Sequence, residues 1–214
     1  MRASLLGVLG IQTVADSWRC GYSARFKAIR QTRLTGREPI MNLDIRRERP
    51  DDHRPIFAIE AAAFDTDAEA RLVDLLRAAD ALILSQVAEI KGVIVGHAAY
   101  SLVTVTDGAS VRRFPALGPI AVSPPLQRQG IGSALVRAGL RAMRALDYEL
   151  LFLVGSPRYY PRFGFQPAQP LGFTSDYVEP GGAHEHFMVA LLRESVPDGV
   201  GGHVQFHPAF AEVS

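Results

Sequence analysis

A single cysteine, Cys20, stands in a chain of 214 residues. An intramolecular disulfide and a cysteine-built metal site are therefore both excluded. The scarcity fits a reducing compartment, and the cytoplasm is the expected location. No apolar run approaches the ~20 residues that a membrane-spanning helix needs. An excess of one charge is missing too, since the formal net charge is +1. That balance conceals an asymmetry: residues 1–40 hold seven basic residues and two acids, a +5 leader, which leaves −4 on the rest. The pI near 8.0 is thus a property of the leader, and the mildly acidic body carries no electrostatic footprint for nucleic acid. Neither nucleic acid nor membrane is expected as a partner. With 48% hydrophobic and 21% charged residues, the composition is that of one globular domain with a sizeable core.

The leader lacks any sustained period of 2.0 or 3.6. Three readings stay open: an upstream start with Met41 as the functional first residue, a disordered basic extension, and an organellar targeting peptide, which is Arg-rich and acid-poor in the same way. A secretory signal fits badly, because the apolar patch Leu5, Leu6, Val8, Leu9 and Ile11 is broken by Gly7 and Gly10. One domain is expected over 41–214, opening where Leu43–Arg46 begins to alternate.

Beyond that strand, Pro50-Asp51-Asp52 predicts a helix start, with proline and acids in the first turn. A second helix is predicted over Thr66–Ala79, capped by Asp65 or Thr66. Leu82–Ala88 and Gly92–Thr106 read as a hairpin around Glu89–Gly92. Asp107–Ser110 and Arg112-Arg113 read as loop. Leu117–Val122 and Leu150–Val154 are short, wholly apolar strands, and a helix over about Gly130–Leu146 lies between them. Strand, helix, strand at that spacing implies a parallel pair. Phe187–Leu192 reads as a late strand. Residues 196–214 read as a glycine-rich tail with apolar spots at Val204, Phe206 and Phe210.

The most informative segment is Val122-Ser123-Pro124-Pro125-Leu126-Gln127-Arg128-Gln129-Gly130-Ile131-Gly132-Ser133. A buried strand ends, two prolines force an extended exit, and a loop feeds a helix. The first N–H groups of a helix have no intrahelical acceptor, and with the helix dipole they form an anion site. Gly130 and Gly132 remove β-carbons that would hold a pyrophosphate off the backbone. Arg128 adds a cation at the rim and Ser133 a hydroxyl. No Lys-Ser/Thr follows the glycines, so this is not the phosphate loop of an NTPase, and the dinucleotide pattern lacks its third glycine and early position. A plain strand-to-helix loop is the competing reading of the segment taken alone.

Gln127-Arg128-Gln129-Gly130-Ile131-Gly132 resembles the Gln-x-x-Gly-x-Gly acyl-coenzyme A loop of the GNAT superfamily of N-acetyltransferases. A second segment agrees independently: Tyr160-Pro161-Arg162-Phe163-Gly164-Phe165 is similar to that family's Tyr-x-x-x-Gly-Phe pattern. Gly155–Ala168 and the closing Gly202–Phe210 resemble a bacterial subgroup of YhbS-like acetyltransferases. The likeness covers roughly Met41–Phe210. It implies an α/β fold of GNAT type, with a mixed, mostly antiparallel sheet, a central parallel strand pair that splays apart, and flanking helices. It implies acetyl-CoA or another acyl-CoA as co-substrate, with no metal. The pantetheine arm would bond to the backbone of Ile120, Ala121 and Val122, and the pyrophosphate to Gln127, Arg128, Gln129, Gly130, Ile131, Gly132 and Ser133.

The implied chemistry is attack of a primary amine, on a small molecule or protein, on the thioester. A backbone N–H near Val122 would meet the developing oxyanion. Tyr160 takes the tyrosine position and would donate to the leaving sulfur, since a phenol with pKa ~10 keeps its proton where a thiol with pKa ~8.5 begins to lose it. Packing is the alternative role for Tyr159 and Tyr160. Some family members carry a glutamate on the fourth strand, but Leu117–Val122 has no carboxylate, so the base is unassigned. Glu60 reads as a solvated helix residue and His97 as a packed or exposed strand residue; Asp176 and Glu185 are weaker candidates. His184-Glu185-His186 would place two imidazoles on one face of a strand, but no third metal ligand is evident. Arg137, Arg141 and Arg144 read as the solvated face of the loop helix, with a contact to the coenzyme A 3′-phosphate as the minor alternative. A non-catalytic acyl-CoA sensor or interaction domain on the same fold is the alternative function, and either a monomer or a homodimer suits it.

Overall fold

The computed structural model describes residues 42–177 and 184–213; the readings of the leader lie outside the described residues. Among the described residues, nine strands form one sheet: β1 (Leu43–Arg47), β2 (Leu82–Ile90), β3 (Val93–Asp107), β4 (Ser110–Val122), β5 (Leu150–Val154), β6 (Phe165–Pro167), β7 (Phe173–Ser175), β8 (Phe187–Leu191) and β9 (Gly202–Gln205). The order is β1-β2-β3-β4-β5-β8-β6, and β9 pairs with both β3 and β7. Neighbours run antiparallel except for β4 with β5 and β7 with β9. The mixed sheet with a central parallel pair is the architecture the sequence implied. No described helix is long and apolar enough to cross a membrane.

The described α-helices that flank the sheet are α1 (His53–Ala63), α2 (Ala68–Ala78), α3 (Ile131–Ala145) and the short α4 (Ala209–Glu212). On α3 the buried residues Leu135, Val136, Gly139, Leu140 and Met143 follow the helical period, while Arg137, Arg141 and Arg144 face outward. The buried stripe packs on Leu84, Ala88, Val95, Tyr100 and Leu117 of the sheet. Each fully buried Leu or Met contributes roughly 1.5–3 kcal/mol by leaving water. The helix stops because Asp147 turns left-handed at φ 64°. Tyr148 N–H then donates back to the Met143 carbonyl at 3.1 Å, a Schellman closure.

On the opposite face, Ile56 of α1 and Val73 of α2 pack on Val87 and Ala99. Leu72 and Leu76 of α2 join Phe114, Phe152, Phe173, Phe187, Phe206 and Phe210 in a larger cluster. The alternation along β5 supplies both layers, with Leu151 and Leu153 on one side and Phe152 on the other.

Several sequence expectations are corrected. Pro50–Asp52 is a 3-10 turn ahead of α1 rather than its first turn. The hydrogen bonds of Arg46 to Asp52, at 2.6 and 3.1 Å, anchor that turn to β1. The second helix begins at Ala68, two residues late, with Asp67 at its cap position. β4 starts at Ser110, so Arg112 and Arg113 lie on a strand paired with β3, not in a loop. The segment over 196–214 is not a plain tail: β9 adds to the sheet edge, and Val204, Phe206 and Phe210 are core. His184–His186 forms a 3-10 turn, which removes the shared strand face on which a metal reading depended. Among the described residues no group of three ligating side chains comes together.

Candidate active site

The parallel strands β4 and β5 are in register at one pair only, Ala116 with Phe152. Beyond it β4 continues for six residues. Its pairing with β3 skips from Tyr100 opposite Leu117 to Ala98 opposite Ile120. Two steps on β3 thus face three on β4, a bulge at Gly118-Pro119 that turns β4 away from β5. Ile120, Ala121 and Val122 keep β3 partners in Ala98, His97 and Gly96. Their other edge lies outside the single registered pair with β5, so it presents backbone polar groups toward the opening.

The chain then leaves β4 through the 3-10 turn Pro124–Leu126 and reaches α3. Gln127 Nε2 donates to the Val122 carbonyl at 3.1 Å and ties the loop to the strand end. Gln129 Nε2 reaches the Pro125 carbonyl at 3.4 Å. Arg128 is exposed at φ 62°, and Gly130 caps α3 at φ 91°. That left-handed turn costs glycine nothing and an L-residue about 1–2 kcal/mol. Ala134 N–H bonds to the Gly130 carbonyl at 2.9 Å, the first full turn of the helix. The N–H groups of Gly130, Ile131, Gly132 and Ser133 precede that bond and point out of the helix start. Gly132 also admits a neighbour: a β-carbon there would sit 3.2 Å from Tyr159 Oη.

The two tyrosines separate. Tyr159 is half-buried, with its hydroxyl 3.4 Å from Ser133 Oγ at the helix start and Arg162 stacked on its ring at 4.8 Å. Tyr160 is 2% exposed. It packs edge-on against Tyr159 and Phe165, at 5.0 and 5.7 Å between centroids. Gly155, directly after β5, makes room for it, because a β-carbon there would overlap the Tyr160 ring. Burial, and behind it the neighbouring Tyr159, pushes the Tyr160 hydroxyl well above its ordinary pKa. It therefore carries its proton throughout the neutral range.

Glu60 is not solvated, and His97 is packed rather than exposed; both are fully buried, and Nδ1 of His97 lies 2.6 Å from Glu60 Oε1. His97 Nε2 lies 2.9 Å from Ser85 Oγ, which donates to Glu48. Arg77 grips both oxygens of Glu48 at 3.0 Å. Burial works to raise the Glu48 pKa, but the bonds from Arg77 and Ser85 bring it below the ordinary carboxylate value. Desolvation pushes Glu60 upward against the His97 bond. Glu60 Oε2 and Glu69 Oε2 are buried with no hydrogen-bond partner. Burial raises the Glu69 pKa to about 7, with Glu60 and Asp65 adding to the shift. Sequence reasoning did not single out Ser85 or Glu48. The available signal was a polar side chain, Ser85 or His97, interrupting each of two apolar strand runs.

The sequence profile described as the acetyltransferase (GNAT) family matches residues 43–165. The uncharacterized N-acetyltransferase YhbS of Escherichia coli is 33% identical over 167 residues, 78% of this chain and 97% of the relative. The crystal structure of YhbS in complex with CoA superposes with a TM-score of 0.74 at 32% identity, covering 82% of this chain and 95% of that one. A GNAT acetyltransferase from Brucella melitensis, crystallised with acetyl-CoA, gives a TM-score of 0.64 at 34% identity, with coverage of 79% and 98%.

Proposed function

We propose that this chain, which belongs to the acetyltransferase (GNAT) family, transfers an acetyl group from acetyl-CoA to a primary amine of a small molecule or protein. The observation that carries this reading is the divergence of β4 from β5 past Ala116 and Phe152, opening onto the glycine-capped start of α3. The residues fit the donor. Gln127, Arg128, Gln129, Gly130, Ile131, Gly132 and Ser133 supply backbone N–H groups and one cation for a pyrophosphate. The free edge of Ile120, Ala121 and Val122 suits the amide groups of a pantetheine arm. Two similar proteins were crystallised with CoA or acetyl-CoA.

The amine attacks the thioester carbonyl directly. A carbon–nitrogen bond forms, and the carbon–sulfur bond breaks with its electron pair on sulfur. The Val122 N–H faces the developing oxyanion, and the Tyr160 hydroxyl donates to the departing sulfur as it takes up the second proton shed by the attached amine. β4 carries no carboxylate, the one feature that favours a non-catalytic acyl-CoA-binding domain instead. Release of free thiol from acetyl-CoA across a panel of primary amines tests the choice. Amine-dependent release supports the enzyme; tight acetyl-CoA binding without release on any amine supports the sensor.

A further inference from the structure

The transfer read above needs an ammonium acceptor to lose a proton before it attacks, and β4 offers no group to take it. The face of the sheet beneath β4 does. His97 is the cross-strand partner of Ala121, the middle residue of the donor-facing segment. α1, which carries Glu60, packs on both β3 and β4. We propose that Glu60 and His97 together form the general base of the acyl transfer, Glu60 meeting the acceptor's proton and His97 holding it as an imidazolium, with Ser85 and Glu48 as positioning residues. The proposal rests on the acyltransferase reading.

The hydrogen bonds fix where the protons stand. Ser85 has one hydroxyl hydrogen, and it goes to Glu48. Ser85 therefore accepts from His97 Nε2–H across 2.9 Å. A single proton then occupies the 2.6 Å link between His97 Nδ1 and Glu60 Oε1. The proposed step starts with it on Glu60, whose carboxyl burial pushes toward the neutral form. Glu60 Oε2 is left without a partner in a buried setting, the condition that a bridging water satisfies.

The acceptor R–NH3⁺ passes one proton through that water to Glu60 Oε2, while the Oε1 proton moves to His97 Nδ1. Glu60 stays neutral and His97 becomes an imidazolium, faced through Ser85 by the Glu48 carboxylate. The free amine attacks. Its second proton replaces the one Tyr160 gave to sulfur. Once the amide has left, the imidazolium returns its proton by the same path in reverse, through Glu60 to water. The balance is R–NH3⁺ plus thioester giving amide, thiol and one released proton. Around this row stand Glu69 on α2, Asp65 between α1 and α2, Arg77 against Glu48, and His53 with Nε2 3.7 Å from Glu48.

The test uses the full chain, acetyl-CoA, and a panel of primary alkylamines between pH 6 and 10. It compares wild type with Glu60→Gln and Ser85→Ala. Loss of a general base lowers kcat by roughly 10²- to 10⁴-fold. Glu60→Gln is expected to do so at pH 7, with the KM for acetyl-CoA unchanged. The deficit should then shrink as pH climbs toward the amine's own pKa of about 10.4, because solution supplies free amine that the variant cannot make. Ser85→Ala should show a smaller deficit, about tenfold, with the same closure at high pH; if Glu60→Gln fails to fold, Ser85→Ala carries the test. Wild-type turnover with both variants unaffected overturns the base alone, as does a deficit equal at every pH, which a merely structural role would give. No turnover by wild type on any amine overturns the acyltransferase reading and the base with it.

Discussion

The Tyr159 hydroxyl lies 3.2 Å from the point where a β-carbon on Gly132 would sit. The start of α3 and the turn after β5 therefore meet closely, beside the loop proposed to hold the donor. Gly132→Val should drive Tyr159 outward and weaken acetyl-CoA binding at least tenfold, about 1.4 kcal/mol. Calorimetry reads the effect directly. The thermal midpoint should change little, since the added side chain meets a half-buried neighbour at the surface.

We propose Tyr160 as the donor to the leaving sulfur because it takes the tyrosine position of the Tyr-x-x-x-Gly-Phe pattern. Tyr160→Phe keeps the ring packing against Phe165 and removes only the hydroxyl. Turnover should fall by about 10²-fold or more, while the Kd for acetyl-CoA stays within twofold. Equal turnover would return Tyr160 to a packing role.

Tyr100 and Gly139 make a second tight contact, this one in the core. A β-carbon on Gly139 would overlap the Tyr100 phenol. Gly139→Ala should destabilise the fold by about 1–3 kcal/mol through overpacking, seen as a lower urea midpoint. Tyr100 Oη is itself buried without a partner. Tyr100→Phe removes an unpaired polar atom and should raise stability by about 1 kcal/mol.

Glu69 makes stability depend on pH. Its carboxyl is raised from 4.5 to about 7, chiefly by burial. A carboxyl with a raised folded pKa contributes stability that is complete below its unfolded value and is lost as pH rises through the folded one. Stability should therefore fall between about pH 4.5 and 7. Glu69→Gln should flatten that decline and leave the protein more stable than wild type at pH 8. Urea unfolding at pH 5, 6, 7 and 8 measures it.

The architecture was readable because the donor side is written in local signals. The glycines at 130 and 132, the two prolines and the apolar runs of β4 and β5 each act within a few residues of their own position. The α3 stripe was equally plain from its period. The Glu60–His97 pair was not, because its partners are 37 residues apart. A lone glutamate on a helix is exposed unless something across the fold claims it. Ser85 and Glu48 join the row only through the antiparallel pairing of β2 with β3 and the position of the segment after β1. The same distance effect hid β9, whose four residues become a strand only because the edge of β3 is there to receive them.

Titration of acetyl-CoA into the wild-type chain and into Gly130→Glu tests the central claim most directly. Gly130 sits at φ 91° with no heavy atom within 4 Å of a β-carbon. The glutamate therefore puts a carboxylate at the proposed pyrophosphate position without a core clash. Saturable binding by wild type that disappears in the variant is the predicted result. A folded wild-type chain that binds no acetyl-CoA, or a variant that binds as well as wild type, would contradict the placement of the donor at the start of α3.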